Sequence, residues 1–250
     1  MGEPTLKITR VSNTFYAPGN QRASRVGDLF AAIARHYDLL NDLQSFGLHR
    51  LWKRRVVALA NVKPGDRALD VCCGTGDIAL ALANRGAETT GLDFSEKMLE
   101  VAQSRLQHSK SKAQHLKFLQ GDASQLPFED NSFDAVTMGY GLRNLSSWET
   151  GLREMIRVAK PGGRIVVLDF GKPANSLWRT LYFTHLKCSV PLIGLIFCGN
   201  PQAYAYILES LKHYPAQRAV AEKMRELQLA NVQIIDFVGG AMAINFGQKP

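Results

Sequence analysis

Asp70-Val71-Cys72-Cys73-Gly74-Thr75-Gly76-Asp77-Ile78-Ala79 sets two glycines between an apolar β-like run and a helical one. Glycine at 74 and 76 lets main-chain N–H groups come close to a ligand, and a helix start favours polar or anionic atoms. Asp93 lies nineteen residues after Gly74, at the end of the next β-like run. Nucleotide folds keep a carboxylate for ribose hydroxyls at that place. Gly74-x-Gly76-x-x-Ala79 would also suit a dinucleotide, so NAD(P) competes, as does a bare strand-to-helix turn with no ligand. Three features point elsewhere. Asp70 puts a carboxylate beside the loop, which suits a cation better than a pyrophosphate. Asp122, in Gly121-Asp122-Ala123, could accept from an adenine amino group. The third feature is Lys160-Pro161-Gly162-Gly163, a turn ahead of the fifth β-like run.

These residues need a frame, and the middle of the chain supplies one. ALDVCC (68–73), TTGLDF (89–94), LKFLQGDA (116–123), FDAVTMGY (133–140) and RIVVLDF (164–170) read as strands. IALALANR (78–85), SEKMLEVAQSRLQ (95–107, N-capped by Ser95) and SWETGLREMIRVA (147–159) read as the helices between them. Apolar runs alternating with helices indicate a parallel sheet covered on both faces. VQIIDFVGGAMAINFG (232–247) adds two strands at the end of the sheet. Ahead of the sheet, apolar residues recur at helical spacing from Val26 to Leu59, with Gly47 as an interruption. The expected organisation is a flexible arm at 1–25 and one α/β domain at 26–250. Within that domain, helices occupy 26–60 and an irregular apolar helical region occupies 172–230.

The chain has 250 residues, 46% hydrophobic and 21% charged, which excludes a disordered or collagen-like class. Its four cysteines show neither zinc nor redox spacing, and the histidines show no metal spacing, so no metal is expected. The opening MGEPTLKITRVSNTF lacks the apolar core of a secretory signal. The solidly apolar stretch from Val190 to Cys198 falls well short of the roughly 20 residues that cross a bilayer, and Pro191 and Gly194 interrupt it. The formal net charge of +8 divides as +5 over 1–55, −2 over 56–159 and +5 over 160–250. Basic flanks suit nucleic acid, an anionic membrane surface, or simply solvated charge.

The glycine turn, the acids at 70, 93 and 122 and the Lys160–Gly163 turn together resemble the class I S-adenosylmethionine-dependent methyltransferases. Their cofactor carries a sulfonium, an ammonium and an adenosine but no phosphate. A narrower resemblance lies in Tyr37-Asp38-Leu39-Leu40-Asn41-Asp42-Leu43-Gln44-Ser45-Phe46-Gly47-Leu48-His49-Arg50-Leu51-Trp52 and in Met138-Gly139-Tyr140-Gly141-Leu142-Arg143-Asn144. Arg157–Gly163 with Leu168-Asp169-Phe170, and Tyr204, Tyr206, Ser210 and Pro215, extend it. These segments resemble the menaquinone/ubiquinone biosynthesis C-methyltransferases from about residue 28 to 247, with Asp169-Phe170-Gly171 where that family usually has Glu-x-Ser. Cys72-Cys73-Gly74, Met138–Gly141 and Leu168–Phe170 are most similar to its phylloquinone/menaquinone branch. The resemblance implies a Rossmann-like fold with a mostly parallel seven-stranded sheet and an N-terminal helical lid. It implies S-adenosyl-L-methionine as cofactor, held at Thr75, Asp93, Asp122, Ala123 and Gly139 in addition to Asp70, Gly74 and Gly76.

Methylating a ring carbon requires an electron-rich ring, so the implied substrate is a quinol, preferably deprotonated. A phenol-like hydroxyl titrates near about 10, so the site must lower that value or supply a base. His49, Tyr37 and Arg143 are the candidates for this step. His49 could act as a base, and Arg143 could stabilise a phenolate or orient a water. Asn41, Tyr140 and Asn144 are candidates for holding the ring. Leu177–Phe197 with the N-terminal helices could form a lid or channel for a prenyl or phytyl tail, pack as core, or make a homodimer. The substrate expected is a lipid demethyl-naphthoquinol, with the benzoquinol of ubiquinone synthesis as its near alternative and no nucleic acid partner. The expected setting is the cytoplasm, peripheral on a membrane, or a mature chloroplast form. An RNA or protein methyltransferase lacks support, because Gly139-Tyr140-Gly141-Leu142 stands where such enzymes carry an Asn-Pro-Pro-Tyr motif; a non-catalytic cofactor-binding module is the last alternative.

Overall fold

β1 (Arg67–Val71) is apolar at every position but two, because in a parallel sheet both faces of a central strand are covered. A computed structural model describes residues 30, 34, 37–109, 115–198 and 208–250 and, of residues 37, 40 and 190–198, the backbone alone. The expected arm at 1–25 lies outside the described residues, as do most of 26–36 and Tyr204 and Tyr206. The elements run α1 (Tyr37–Ser45), α2 (Leu48–Ala60), β1, α3 (Asp77–Ala83), β2 (Glu88–Asp93), α4 (Glu96–His108) and β3 (Leu116–Gln120). They continue with β4 (Phe133–Gly139), α5 (Trp148–Val158), β5 (Ala159–Phe170), α6 (Ser176–Cys198), α7 (Ala216–Glu226), β6 (Ala230–Phe237) and β7 (Met242–Gln248).

The seven strands form one sheet in the order β3-β2-β1-β4-β5-β7-β6. The first five are parallel, and β7 pairs antiparallel with both β5 and β6. The chain leaves β1 toward β2 and β3, then returns to place β4 on the other side of β1. Open α/β sheets bind ligands at such a switch, outside the carboxyl ends of the two strands. Here those ends carry the glycine turn after Val71 and Tyr140 after Gly139.

Side chains alternate between two cores. Leu69, Val71, Val136, Met138, Ile165 and Val167 pack with Leu152 and Met155 of α5 and Val220 and Met224 of α7. Ala68, Ala135, Val166 and Leu168 point the other way, toward Trp52, Val56 and Val57 of α2 and Ile78 and Leu82 of α3. Each large aliphatic side chain buried in this way contributes about 1.5–3 kcal/mol. In α2 the inward positions are His49, Trp52, Val56, Val57 and Ala60, the i, i+3, i+7, i+8, i+11 stripe of an amphipathic helix. The stripe that docks α2 therefore also carries a histidine inward.

The structure adds detail to three local readings. Lys160–Gly163 does not sit ahead of β5 as a separate turn. The strand begins at Ala159 and runs through it, with Gly162 at φ 79° and its N–H donating to the Lys249 carbonyl at 2.8 Å. Ser95 is the N-cap of α4 as expected; its side chain makes no capping bond, and its amide donates to Asp93 Oδ1 at 2.9 Å. Within the apolar region after Gly171, α6 is one continuous helix of 23 residues that passes through Pro191 and Gly194. Proline removes one rung of such a ladder, which a long helix tolerates. No described helix is long and apolar enough to cross a membrane.

Candidate active site

The turn after β1 needs left-handed backbone at Cys72 (φ 54°), Gly74 (φ 55°) and Gly76 (φ 84°). A Cβ added at Gly74 would meet nothing within 4 Å, so the backbone there borders open space that a ligand can enter. Asp70 locks the turn from below. It faces Thr137 across the β1–β4 register, its Oδ1 accepts from Thr137 Oγ1 at 2.8 Å, and its Oδ2 accepts from the Ala79 N–H at 3.1 Å. Burial pushes its carboxyl up to about 7 against those two bonds. Asp93 locks the turn from the side, accepting from the Gly74 N–H at 2.8 Å. Its carboxyl is also raised by desolvation.

Three cavities meet here. A cleft of about 750 Å³ is lined by Gly74, Asp93, Phe94, Ser95, Met98, Asp122, Ala123, Gly139, Tyr140 and Asn144, with Phe30 closing over it from ahead of α1. A recess of about 310 Å³ runs inward past Lys53, Asp70, Thr75, Asp77 and Tyr140. On the other side a chamber of about 1220 Å³ is walled by α1, α2, α6 and the β6–β7 turn. Its lining is mostly apolar (Phe46, Trp52, Phe170, Trp178, Leu181 and Met242), with Asn41, Gln44 and His49 among it. Tyr140 lines all three.

The cleft suits an adenosine better than a dinucleotide. No Lys or Arg lines it among the described residues, and Asp93 and Asp122 would repel a pyrophosphate. Phe94 and Met98 offer flat or soft apolar surface for a base, and Asp93 retains acceptor capacity for ribose hydroxyls. Asp122 is exposed, with Oδ1 accepting from Ser124 N–H at 2.7 Å. In the recess Lys53 is held by Asp77, leaving the Asp70 carboxyl on the same wall. Residues 70, 74, 93, 122, 123 and 139 thus come together around one cleft and its recess, and Thr75 stands in the recess wall.

Arg143 is 5% exposed, and its Nη1 donates to Asp169 Oδ1 at 2.7 Å and to the Tyr140 carbonyl at 2.8 Å. Its guanidinium stacks 4.6 Å over the Phe170 ring. It is not among the residues lining any of the three cavities. Asn144 Nδ2 donates to the same Tyr140 carbonyl at 3.0 Å. Together they hold Tyr140 in a left-handed conformation (φ 62°) at the end of β4. The Tyr37 side chain lies outside the described residues. The sequence reading passed over Gln44 and Asp42; the latter is the carboxylate that touches His49.

Residues 19–249 match the ubiE/COQ5 methyltransferase family. The chain belongs to that family. It is 42% identical to a demethylmenaquinone methyltransferase of Desulfitobacterium hafniense strain Y51, covering 93% of this chain and 92% of the relative. It is 40% identical to the ubiquinone/menaquinone biosynthesis C-methyltransferase UbiE of Ectopseudomonas mendocina strain ymp, over 93% and 92%. A third relative, a demethylmenaquinone methyltransferase of Staphylococcus aureus strain JH9, is 37% identical over 93% and 96%. The fold is shared with a SAM-dependent methyltransferase from Aquifex aeolicus (TM-score 0.53, 17% identity, covering 79% of this chain and 89% of that one). The [4+2]-cyclase SpnF superposes with TM-score 0.58 at 22% identity over 94% and 97%, a reminder that this methyltransferase fold serves more than one chemistry.

Proposed function

We propose that this methyltransferase C-methylates a prenylated demethyl-naphthoquinol with S-adenosyl-L-methionine as donor. The observation that carries the proposal is Tyr140, the wall common to the cleft beside the glycine turn, the recess and the apolar chamber. Bound there, S-adenosylmethionine supplies an activated methyl on a sulfonium. Asp93 and Gly74 hold the ribose side, Asp122 and the Ala123 backbone hold the adenine edge, and Asp70 faces the cationic end. Gly139 borders both cleft and recess, where its lack of a side chain keeps the passage open. The flat quinol ring sits in the chamber against Tyr140, with Asn41 at hand for its oxygens. Positioning of two reactants in this way is worth on the order of 7–11 kcal/mol in good intramolecular cases. Arg143 acts behind the wall as a positioning residue, holding Tyr140 rather than touching the ring.

The tail leaves by the chamber's outer rim. Phe46 is 86% exposed, Leu177 69% and Leu181 55%, and Val238 joins them. Exposed Arg54, Arg179 and Lys187 lie on the same helices. An apolar rim with basic flanks suits docking on an anionic membrane that holds the lipid substrate. The test is product mass from short-tailed demethyl-naphthoquinol and demethyl-benzoquinol offered separately with labelled donor. Methyl gain on carbon of the naphthoquinol is expected. Transfer to the benzoquinol alone would move the assignment to the ubiquinone branch, and transfer to neither would end it.

A further inference from the structure

Among the described residues, three buried side-chain atoms that have no hydrogen-bond partner belong to residues lining the same apolar chamber: Asn41 Nδ2, Gln44 Nε2 and His49 Nδ1. A buried polar group left unmet costs about 1–3 kcal/mol, so an apolar chamber that collects three of them is built to receive a polar partner. The partner they fit is small, flat and oxygen-bearing. Two amide donors and one ring nitrogen stand on two consecutive helices.

The hydrogen on His49 can be assigned from its neighbours. Nε2 lies 2.8 Å from Asp42 Oδ1. Arg50 grips that carboxylate with both arms, Nε to Oδ1 at 2.8 Å and Nη2 to Oδ2 at 2.6 Å. The guanidinium and the His49 bond hold Asp42 well below the usual carboxylate range, so it is ionised and can only accept. Nε2 therefore carries the hydrogen. Burial, assisted by the charge of Lys53, pulls His49 below its ordinary value against Asp42 and Asp77, so the ring is neutral near pH 7. A neutral ring with hydrogen on Nε2 has its lone pair on Nδ1. The other ionisable groups on the chamber wall are Tyr140 beyond β4 and Tyr182 and His185 of α6, and burial raises the Tyr182 phenol well above its ordinary value, so it stays neutral.

The local fold makes this contact deliberate. Gly47 (φ 75°) breaks the helix between α1 and α2, and the break brings residues seven apart in sequence into contact. Ser45 Oγ accepts from the His49 N–H at 3.2 Å and donates to the Asn41 carbonyl at 2.6 Å, fixing the two helices at the joint.

We propose that His49, oriented by Asp42, is the base that takes the hydroxyl proton of the bound quinol, while the Asn41 and Gln44 amides hydrogen-bond the ring oxygens. The proposal rests on the quinol reading above. The O–H proton moves to Nδ1, and the bonding pair stays on oxygen and spreads into the ring. An imidazolium and an aryloxide result, with no oxidant or reductant consumed. Asp42 offsets the new positive charge. Once the ring carbon has gained its methyl, its hydrogen leaves to solvent as a proton and the imidazolium returns the first proton to oxygen.

The probe is a short-chain 4-alkoxy-1-naphthol kept under anaerobic conditions, whose single hydroxyl reports ionisation by absorbance. On the full-length wild-type chain the naphtholate fraction near pH 7.5 should rise about tenfold over free solution. His49→Gln and Asp42→Asn should abolish that rise, and Asp42→Glu should restore part of it. His49→Gln should lower kcat on the quinol about 10²- to 10⁴-fold while leaving the cofactor Kd unchanged. Nitrogen NMR of His49 should place the hydrogen on Nε2 in the wild type and distribute it over both nitrogens in Asp42→Asn. Should His49→Gln fail to fold, Asp42→Asn carries the same comparisons. A probe that stays unionised on the wild type, or a His49→Gln chain that keeps both ionisation and turnover, overturns the base. If methyl transfer succeeds while ionisation ignores His49, the base is wrong and the quinol reading stands. If the probe ionises at His49 but no quinol is methylated, the base stands and the quinol reading fails.

Discussion

Thr75 Oγ1 donates to Asp38 Oδ1 across 3.0 Å, tying α1 to the glycine turn. Arg105 of α4 donates to the other Asp38 oxygen at 2.9 Å and to the Thr75 carbonyl at 3.0 Å, while Arg105 and Lys53 share Asp77. Four helices thus converge beside the recess. Asp38 and Arg105 are 34% and 35% exposed, so water screens the pair and its worth is about 1 kcal/mol. Arg105→Ala should weaken S-adenosylhomocysteine binding roughly fivefold by calorimetry, with a shallower salt dependence than wild type. Equal affinities at low salt would show that the clasp has no bearing on the recess.

Asp169 accepts from the Arg143 main chain and guanidinium, both groups are at most 5% exposed, and the pair supports Tyr140. Removing one member of a buried pair strands the other. Asp169→Ala should cost about 3–5 kcal/mol in urea unfolding. Arg143→Lys should keep the charge but lose the fork and the stacking on Phe170, so turnover should fall more than stability. A stable Asp169→Ala protein with unchanged turnover contradicts this account of the wall.

Asp70 has its folded value near 7 because it is desolvated, against 3.8 for the ordinary carboxyl. The folded chain therefore holds a proton that the unfolded chain has released between those values. Asp70's contribution is full below about pH 4 and is lost as pH rises toward 7, with a slope of at most about 1.4 kcal/mol per pH unit. Unfolding free energies of wild type and Asp70→Asn, measured from pH 4 to 8, should converge or cross in that sense and run parallel above 7. A constant difference across the range would place the Asp70 value elsewhere.

Phe46 stands 86% exposed at the rim of the chamber. Phe46→Asp should reduce co-sedimentation with anionic vesicles severalfold and raise KM for a long-tailed quinol, with little effect on a short-tailed one. Wild-type protein that stays in the supernatant at low salt would remove the membrane from the proposal altogether.

The glycine turn, Asp93 and Asp122 were legible because nucleotide folds hang their chemistry on strand ends, where spacing along the chain is spacing in space. The central strands were legible for a related reason, since a doubly covered sheet writes each of them as a largely apolar run, whereas the exposed edge strands β3 and β6 carry polar residues among the apolar ones. Lys160–Gly163 misled because proline and glycine imply a separate turn, whereas β5 takes them in as an irregularity between Ala159 and Arg164, with Gly162 and Gly163 bonded to the Lys249 main chain. Asp42 escaped notice although it sits in the quoted α1 segment. Its contact with His49 depends on the angle set at Gly47, and no periodicity encodes that angle. Lys53, Asp77 and Arg105 belong to three different helices, and only packing makes them neighbours. Arg143 was read outward from its position past β4, but the carboxylate of β5 turns it inward.

The proposed cofactor cleft and the apolar chamber have separate builders: mainly strand-end loops and α4 on one side, α1, α2, α6 and the β6–β7 turn on the other. Exchanging side chains in the second set can retune which ring or tail is admitted while the donor's berth stays as it was. A lineage can therefore change acceptor without reinventing its transfer chemistry. Tyr140 lines both, so a change there would be felt by donor and acceptor alike.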